Sequence, residues 1–565
     1  MATGEGHSPT LAKLASGVEE ANSAALASIL GRNARTTQVG RDFGLDPTWS
    51  PDAFREKCPL TTYADYEPYA NRMLESADPS NIMVPGVPLF MATSGGTTGA
   101  RSKCFPITGR TSRAERVRLS LINESLPYDE WKGPWLPMLS SRIDRYAASG
   151  MPVCILSTGM MALTNRLDAS FATSVVPRPV HNLANLSDHL KLYLLFALPR
   201  RDLNVIITTF GNLVIDLFRC LLENKDAFVA AIAEGELPGD EFFQDALPDD
   251  VRQQLQSEFV RNQGRADELE CIFSSYGEDH RGLIAAIWPS LRVVFTSVTG
   301  AFEMYRAPIQ DFLGDAVTII SFGYASSEGE FIGIPTFPKD GVQNYVFAPG
   351  SLFLEFIRDE DRHLAQPPTC LLSELCPGQS YELVLTNERG LYRYRTFDSI
   401  EVVDMVHGAL PVFKILGRAN VGFRLVGGDE FIVAESELLP AIVNAVSELP
   451  GTIPEFGSYL DVDVLPGHIV VAIEMPVGAT PDEQLAAGLA EKIDASLSTA
   501  NPRYRASITD GRLSPLAVVF VSPGALSRLR EFKQKRANVA FSQVKLPLAL
   551  TDTALVNILK NQIVL

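Results

Sequence analysis

At 565 residues the chain is too long for one hydrophobic core, so at least two domains are expected. Apolar residues make up 46% and charged residues 21%, the proportions of a globular protein rather than a fibrous or disordered one. A net charge of −18 repels a phosphate backbone and argues against nucleic acid as a partner, and no apolar run approaches the ~20 residues of a membrane span.

In chain order, residues 1 to about 80 read as helices and loops, and Met1–His7 lacks the basic and apolar regions of a secretory signal. From there to about 415, apolar β-branched runs alternate with helical patterns. Val153–Leu156, Asn204–Thr208, Val293–Thr296 and Val317–Ser321 read as buried strands, and Leu213–Leu222 as a helix between them. Such alternation predicts an α/β sheet covered by helices, with antiparallel additions over 344–357 and 380–403 and a hairpin turn at Asn387–Gly390. A smaller α+β unit begins near Arg418. In it Tyr459–Val464 alternates, Pro466–Gly467 turns the chain into Ile469–Ile473, and Leu516–Val521 is a further strand. Thr480–Glu483 reads as a capping box with proline at the first helical position. The basic cluster Arg528, Arg530, Lys533, Lys535 and Arg536 reads as a solvated helix face, with an anion-binding lining as the rarer alternative. Seven dispersed cysteines without a CxxC pair predict reduced thiols and a cytoplasmic location, and no HExxH or Cys/His cluster suggests zinc.

Three segments carry chemistry. Ser94–Lys103 is a glycine loop rich in hydroxyls and closed by a lysine, suited to a triphosphate because glycines admit the backbone and hydroxyls add donors. It is not a Walker loop, since no glycine immediately precedes Lys103. Gly323–Glu328 directly follows a strand. Tyr324 there offers a ring for a base and Glu328 an oxygen for Mg²⁺, although a glutamate at a helix N-terminus would look the same. Asp398 lies at the end of a strand, where one carboxylate accepts both ribose hydroxyls or simply ends the strand. Arg418 is either a ribose or phosphate contact or a surface residue at a domain joint.

Together with Phe54–Tyr63, Asp65–Tyr69, Val298–Gly300, Tyr305 and Gln543–Lys545, these segments resemble the plant acyl acid amido synthetases that conjugate auxin, jasmonate and benzoates to amino acids. That family is a branch of the adenylate-forming superfamily. The resemblance implies an N-terminal adenylation domain over 1–417, with mixed sheets and flanking helices, and a mobile α+β C-terminal domain over 418–565. It also implies ATP and Mg²⁺ as cofactors, a small carboxylic acid as donor, and an amino acid, amine or alcohol as acceptor. By the resemblance, Ser94, Gly96, Thr97, Thr98, Gly99 and Lys103 would line the phosphate loop. Thr299, Gly323, Tyr324, Ala325 and Ser326 would surround the adenosine and α-phosphate. Glu328 would hold the metal, Asp398 the ribose, and Arg418 the hinge side, while Lys545 would neutralise departing pyrophosphate. Three places depart from the family: Ser94–Gly95 where two serines are usual, Thr396–Phe397–Asp398 for valine-glycine-aspartate, and Asp429–Glu430 for aspartate-lysine. A non-catalytic protein that binds nucleotide or acyl acid is the alternative of another class. Residues 120–180, with Met160, Met161 and Phe171, are the expected acyl-pocket region, but no residue there is assigned a specificity role.

Overall fold

The computed structural model describes residues 8–565, except 95–101, 109–112, 164–172, 184–185, 278, 322, 339–341, 348–349, 351, 419–420, 425–430, 447–454, 476–479, 481 and 538–545. The chain opens with helices α1 (Pro9–Ala15), α2 (Val18–Asn33), α3 (Pro51–Lys57) and α4 (Tyr63–Glu75). Ser8 and Ser50 cap α1 and α3, each followed by proline, and Thr62 with Asp65 forms a capping box at α4. Helices this short need tertiary packing. Leu26, Ile29, Leu30, Phe54 and Tyr66 provide it by joining one core with Leu354, Leu383 and Tyr394 of a later sheet. Asn22 stitches α2 to that sheet, donating to Leu354 O at 3.1 Å and accepting from Leu354 N at 2.9 Å.

Strands β1 (Phe90–Thr93) and β2 (Cys104–Ile107) form an antiparallel hairpin, followed by β3 (Trp135–Met138), β4 (Arg145–Tyr146) and β5 (Pro152–Ile155). β5 lies parallel to β1, giving a mixed sheet in the order β2-β1-β5-β4. β3 instead leads a wholly parallel sheet, β3-β6-β7-β8, with β6 (Val205–Phe210), β7 (Val293–Ser297) and β8 (Thr318–Ile320). Helix α5 (Gly211–Glu223) follows β6 and is buried along most of its length. The apolar run Leu192–Leu198 is buried in the same core, and among the described residues no helix is long and apolar enough to cross a membrane.

The third sheet differs from expectation. β9 (Tyr324–Ser326), β10 (Glu330–Pro335), β11 (Tyr345–Phe347), β12 (Leu352–Arg358), β13 (Ser380–Asn387), β14 (Tyr394–Val406) and β15 (Leu410–Arg418) pair antiparallel throughout, in the order β12-β13-β14-β15-β11-β10-β9. These strands are a separate seven-stranded sheet, not additions to the parallel one. Their short connections allow hairpins, whereas parallel neighbours need long crossovers.

After Arg418 come the β16 (Gly422–Arg424) and β17 (Phe431–Ala434) hairpin, α6 (Glu435–Val446), β18 (Phe456–Asp461), β19 (His468–Glu474), α7 (Glu483–Ala500), β20 (Ala517–Val521), α8 (Ala525–Ala537) and β21 (Ala549–Leu550). The sheet order is β20-β19-β18-β21. The core from Val421 to Ala549 contains no residue of the preceding sheets. Two local expectations are corrected. β18 ends at Asp461, whose Oδ1 accepts from Asp463 N at 3.0 Å and turns the chain before Val464. Asp482, not Thr480, caps α7, its side chain accepting from Gln484 N at 2.9 Å; Pro481 lies outside the described residues.

Candidate active site

Two sheets converge where the β1–β2 hairpin meets the β9–β10 turn. Ser94 N donates to Lys103 O at 2.9 Å and closes the base of the hairpin loop. Gly95, Gly96, Thr97, Thr98 and Gly99, within that loop, lie outside the described residues. Ser327 Oγ donates to Thr93 O at 3.3 Å, tying the turn to the hairpin. From the other side Asn387 Nδ2 donates to Glu328 O at 2.6 Å, and Arg389 Nη1 to Ser327 O at 2.9 Å. Ser326 Oγ accepts from Gly329 N at 3.0 Å. A Cβ at Gly329 would meet Ile332 Cγ1 at 2.6 Å, so the turn needs glycine there. The segment is thus a strand hairpin, and the alternative of a helix N-terminus at Glu328 is overturned. Glu328 is only 5% exposed, and among the described residues its carboxylate has no hydrogen-bond or ion-pair partner. Ala325, on β9, is exposed.

Lys103 points back toward the large sheet. Its Nζ donates to Tyr394 Oη at 3.2 Å and lies 5.6 Å from the Tyr63 ring centroid. Tyr63 Oη in turn accepts from Cys104 N at 2.8 Å. These two tyrosines orient the lysine, and reading the sequence alone gave them no such role. Burial pushes the Lys103 pKa below the ordinary lysine value, while the charge of nearby Glu328 opposes that shift.

Asp398 is not at a strand end but inside β14, within a register shift opposite β13 and paired with Arg418 of β15. The preceding Phe397 adopts φ 62° and stacks under the Arg395 guanidinium at 5.0 Å. That left-handed conformation accounts for the glycine usual at this place, and phenylalanine holds it at a cost of about 1 kcal/mol. Arg418 Nε donates to Asp398 Oδ1 at 3.1 Å, and Tyr324 Oη donates to Asp398 Oδ2. The Asp398 charge, with burial opposing, holds the Arg418 pKa above its usual value, and Glu328 contributes in the same direction. Tyr324 is buried edge-on against Phe413, and burial foremost, then Asp398, pushes its pKa up so that it stays a neutral donor. Gly323 has φ 140°, and a Cβ there would crowd Phe331 at 3.1 Å. Thr299 Oγ1 and Tyr345 Oη share a 2.7 Å hydrogen bond, as do Ser321 Oγ and Tyr345 Oη.

Lys545 lies outside the described residues, as do Asn420, Asp429, Glu430 and Phe171. The residues after Lys545 are placed: Leu546, Pro547 and Leu548 line a cavity of about 50 Å³ with Phe302, Tyr305 and Arg530. The basic cluster is corrected at Arg530, which is 5% exposed and pairs with Asp216 and Glu455 instead of facing solvent.

The residues fit the groups that adenylation needs. An unpartnered, nearly buried carboxylate such as that of Glu328 would suit a hard cation that takes its other oxygens from phosphate and water. Among the described residues no group of three or more ligating side chains gathers for a metal held by protein alone, and a shared substrate cation does not require one. Asp398 uses one acceptor position on each oxygen, and a carboxylate has about four, so two remain for a diol.

Residues 9–318 match the GH3 family N-terminal domain, 345–418 the GH3 family central domain and 436–554 the GH3 family C-terminal domain. The indole-3-acetic acid-amido synthetase GH3.4 of Arabidopsis thaliana is 26% identical over 558 residues, covering 95% of this chain and 90% of its own. The structure of AtGH3.15 acyl acid amido synthetase in complex with 2,4-DB shares the fold with a TM-score of 0.82 at 23% identity, covering 98% of this chain and 95% of that one. A 2-hydroxyisobutyryl-CoA ligase in the postadenylation state in complex with 2-HIB-AMP shares it at 0.53 and 13% identity, covering 97% and 92%.

Proposed function

The chain belongs to the GH3 family, and from that premise we propose that it is an ATP-dependent ligase that activates a carboxylic acid as an acyl-adenylate and transfers the acyl group to the amine of an amino acid. One observation carries the reading. Lys103, Glu328, Asp398 and Arg418, from four separate segments, meet closely enough for their charges to act on one another.

In the first half-reaction a carboxylate oxygen attacks the α-phosphorus of ATP, and the bond to the pyrophosphate oxygen breaks. In the second, an amine nitrogen attacks the acyl carbon, the bond to the AMP oxygen breaks, and the nitrogen loses its proton to solvent. Lys103 and Arg418 supply fixed positive charge where negative charge shifts between oxygens. Asp398, held in orientation by Tyr324 and Arg418, accepts the ribose hydroxyls. Mg²⁺, when held by Glu328, spreads charge over the phosphate oxygens. Ser94, Gly96, Thr97, Thr98 and Gly99 cradle the triphosphate, and Thr299, Gly323, Tyr324, Ala325 and Ser326 border the adenosine. We place the domain boundary at 418, the last residue of β15 and just before the separate C-terminal core that starts at Val421, and give the small domain the task of presenting Lys545. The free cysteines support a cytoplasmic setting.

The test is carboxylate-dependent ATP–pyrophosphate exchange with Mg²⁺ over a panel of aryl, aliphatic and N-acyl acids. Mass analysis of the product then follows, with amines and alcohols as acceptors. Exchange and an amide product are expected. An ester product would move the acceptor to alcohols. Failure of exchange with every acid, in protein that binds ATP, would favour the non-catalytic reading.

The Lys103 environment gives a pH prediction. Its lowered pKa means the charged form is lost as pH rises, earlier than for an exposed lysine. The exchange rate is therefore expected to fall on an alkaline limb set by Lys103. K103R keeps its charge at all working pH and should remove that limb. A limb at the same pH in K103R would assign it to another group.

A further inference from the structure

Tyr394 stands where the base of the hairpin loop, the Glu328 turn and Asp398 come together. It opens β14, four residues before Asp398, and is 1% exposed. Its ring lies edge-on to Phe105 of β2, with centroids 6.2 Å apart, and tilted against Tyr66 of α4 at 6.1 Å. Its Oη accepts from Lys103 Nζ at 3.2 Å. Lys103 lies opposite Ser94 at the loop base, and the adjoining Thr93 O is bonded to Ser327, next to Glu328. Glu328, Arg418 and Asp398 are all near enough for their charges to act on the phenol.

A phenol donates as well as accepts. Among the described residues the Tyr394 proton has no acceptor. Burial foremost, then the charge of Glu328, pushes the Tyr394 pKa up, so that proton is held at every working pH. It does not reach Glu328, whose nearly buried carboxylate has no hydrogen-bond partner among the described residues. A buried donor and a buried acceptor thus lie near each other without being joined, and folded proteins rarely leave such groups unmatched. A phosphate with its cation suits both, since a phosphate oxygen accepts from the phenol and the carboxylate takes the cation. Connectivity says which phosphate. Asp398 suits the ribose and Glu328 the cation, and the α-phosphate is the part of ATP that joins the ribose to the other phosphates. The phenol lies within reach of both carboxylates' charges.

We propose that Tyr394 is a catalytic residue of adenylation: its hydroxyl, held by the Lys103 ammonium, donates a hydrogen bond to a non-bridging oxygen of the α-phosphate while the acyl oxygen attacks. The inference rests on the adenylation reading above. The bond that forms joins the acyl oxygen to phosphorus, and the one that breaks joins phosphorus to the pyrophosphate oxygen. Negative charge gathers on the non-bridging oxygens in between, where a fixed donor stabilises it. The phenol keeps its proton throughout. The bond from Lys103 polarises the hydroxyl and strengthens it as a donor.

Y394F removes the hydroxyl and keeps every ring contact. It is expected to lower acid-dependent pyrophosphate exchange about 100-fold, the usual loss of one preorganised donor. Sulfur is a weak acceptor, so ATP carrying sulfur in place of one α-oxygen separates direct contact from an effect through Lys103. With one diastereomer the hydrogen bond is already gone, and Y394F should cost less than tenfold; with the other it should again cost about 100-fold. Unchanged exchange in Y394F overturns the proposal. So do equal losses with ATP and both diastereomers, which would mean that the hydroxyl only orients Lys103. Calorimetric binding of AMP and of adenosine needs no turnover. Y394F should weaken AMP about tenfold and leave adenosine unchanged, in the native background and again in K103M. No loss for AMP in K103M, or an equal loss for adenosine, would refute the contact. Absence of exchange in the native protein, with AMP and adenosine behaving as expected, would refute only the adenylation reading.

Discussion

E328Q is expected to lower acid-dependent pyrophosphate exchange by about 10³-fold or more, corresponding to about 4 kcal/mol of lost transition-state stabilisation. Glutamine has the shape of glutamate, so the change removes charge and little else. The turn does not depend on the carboxylate. It is held through the backbone oxygens of Ser327 and Glu328, the Ser326 hydroxyl and the close approach at Gly329. The thermal midpoint should therefore stay within about 2 °C of the native value. A neutral amide binds Mg²⁺ weakly, so the Mg²⁺ dependence of any residual exchange should move to much higher concentration, and chelation should abolish exchange in the native protein. Retention of exchange within tenfold would remove Glu328 as the cation ligand. A large fall in midpoint would give it a structural role instead.

What the sequence disclosed about this site follows from which contacts are local. The strands Val205–Phe210 and Val293–Ser297 announce themselves because burial on both faces demands continuous β-branched runs. The hairpin loop and the Glu328 turn are visible because glycines and hydroxyls are confined to a few adjacent positions. Asp398 was found, but its setting was not. The strand continues past it through a left-handed Phe397, and nothing in the letters Thr-Phe-Asp marks a positive φ on a residue that disfavours it. The ring of Tyr324 invites a base in the sequence, but nothing there shows that its hydroxyl is committed to a carboxylate 74 positions away. Arg530 shows the same limit. Five basic residues cluster along that stretch, and the one that is buried is picked out by Asp216, 314 positions earlier, and Glu455, 75 positions earlier. Asp482 and Thr480 are both good caps, and the letters alone do not choose between them.

The largest loss of stability is expected from R393M, about 3–5 kcal/mol. Arg393 lies between the two hairpin strands with φ 47°, and its guanidinium is fully engaged. Nε donates to both oxygens of Glu355 at 3.1 Å, Nη2 to Glu355 Oε1 at 2.9 Å and to Thr369 Oγ1 at 3.0 Å. Nη1 donates to Arg55 O at 2.6 Å and Cys58 O at 2.7 Å. Methionine fills similar space but leaves the fully buried Glu355 carboxylate with Arg55 at 3.8 Å as its remaining cation, and leaves two carbonyls at the end of α3 without a donor. The damage should reach the site, because Arg393 precedes Tyr394, whose hydroxyl receives the Lys103 hydrogen bond. R393M is thus expected to lower both the denaturant midpoint and the exchange rate. The double variant R393M/E355L distinguishes charge from packing. Replacing the whole pair by apolar groups removes the uncompensated charge, so it should recover most of the lost stability. The lost contacts to Arg55 and Cys58 would remain. If the two single losses simply add in the double variant, the pair is not the unit that holds the N-terminal helices to the sheet, and the backbone contacts of Arg393 carry that role alone.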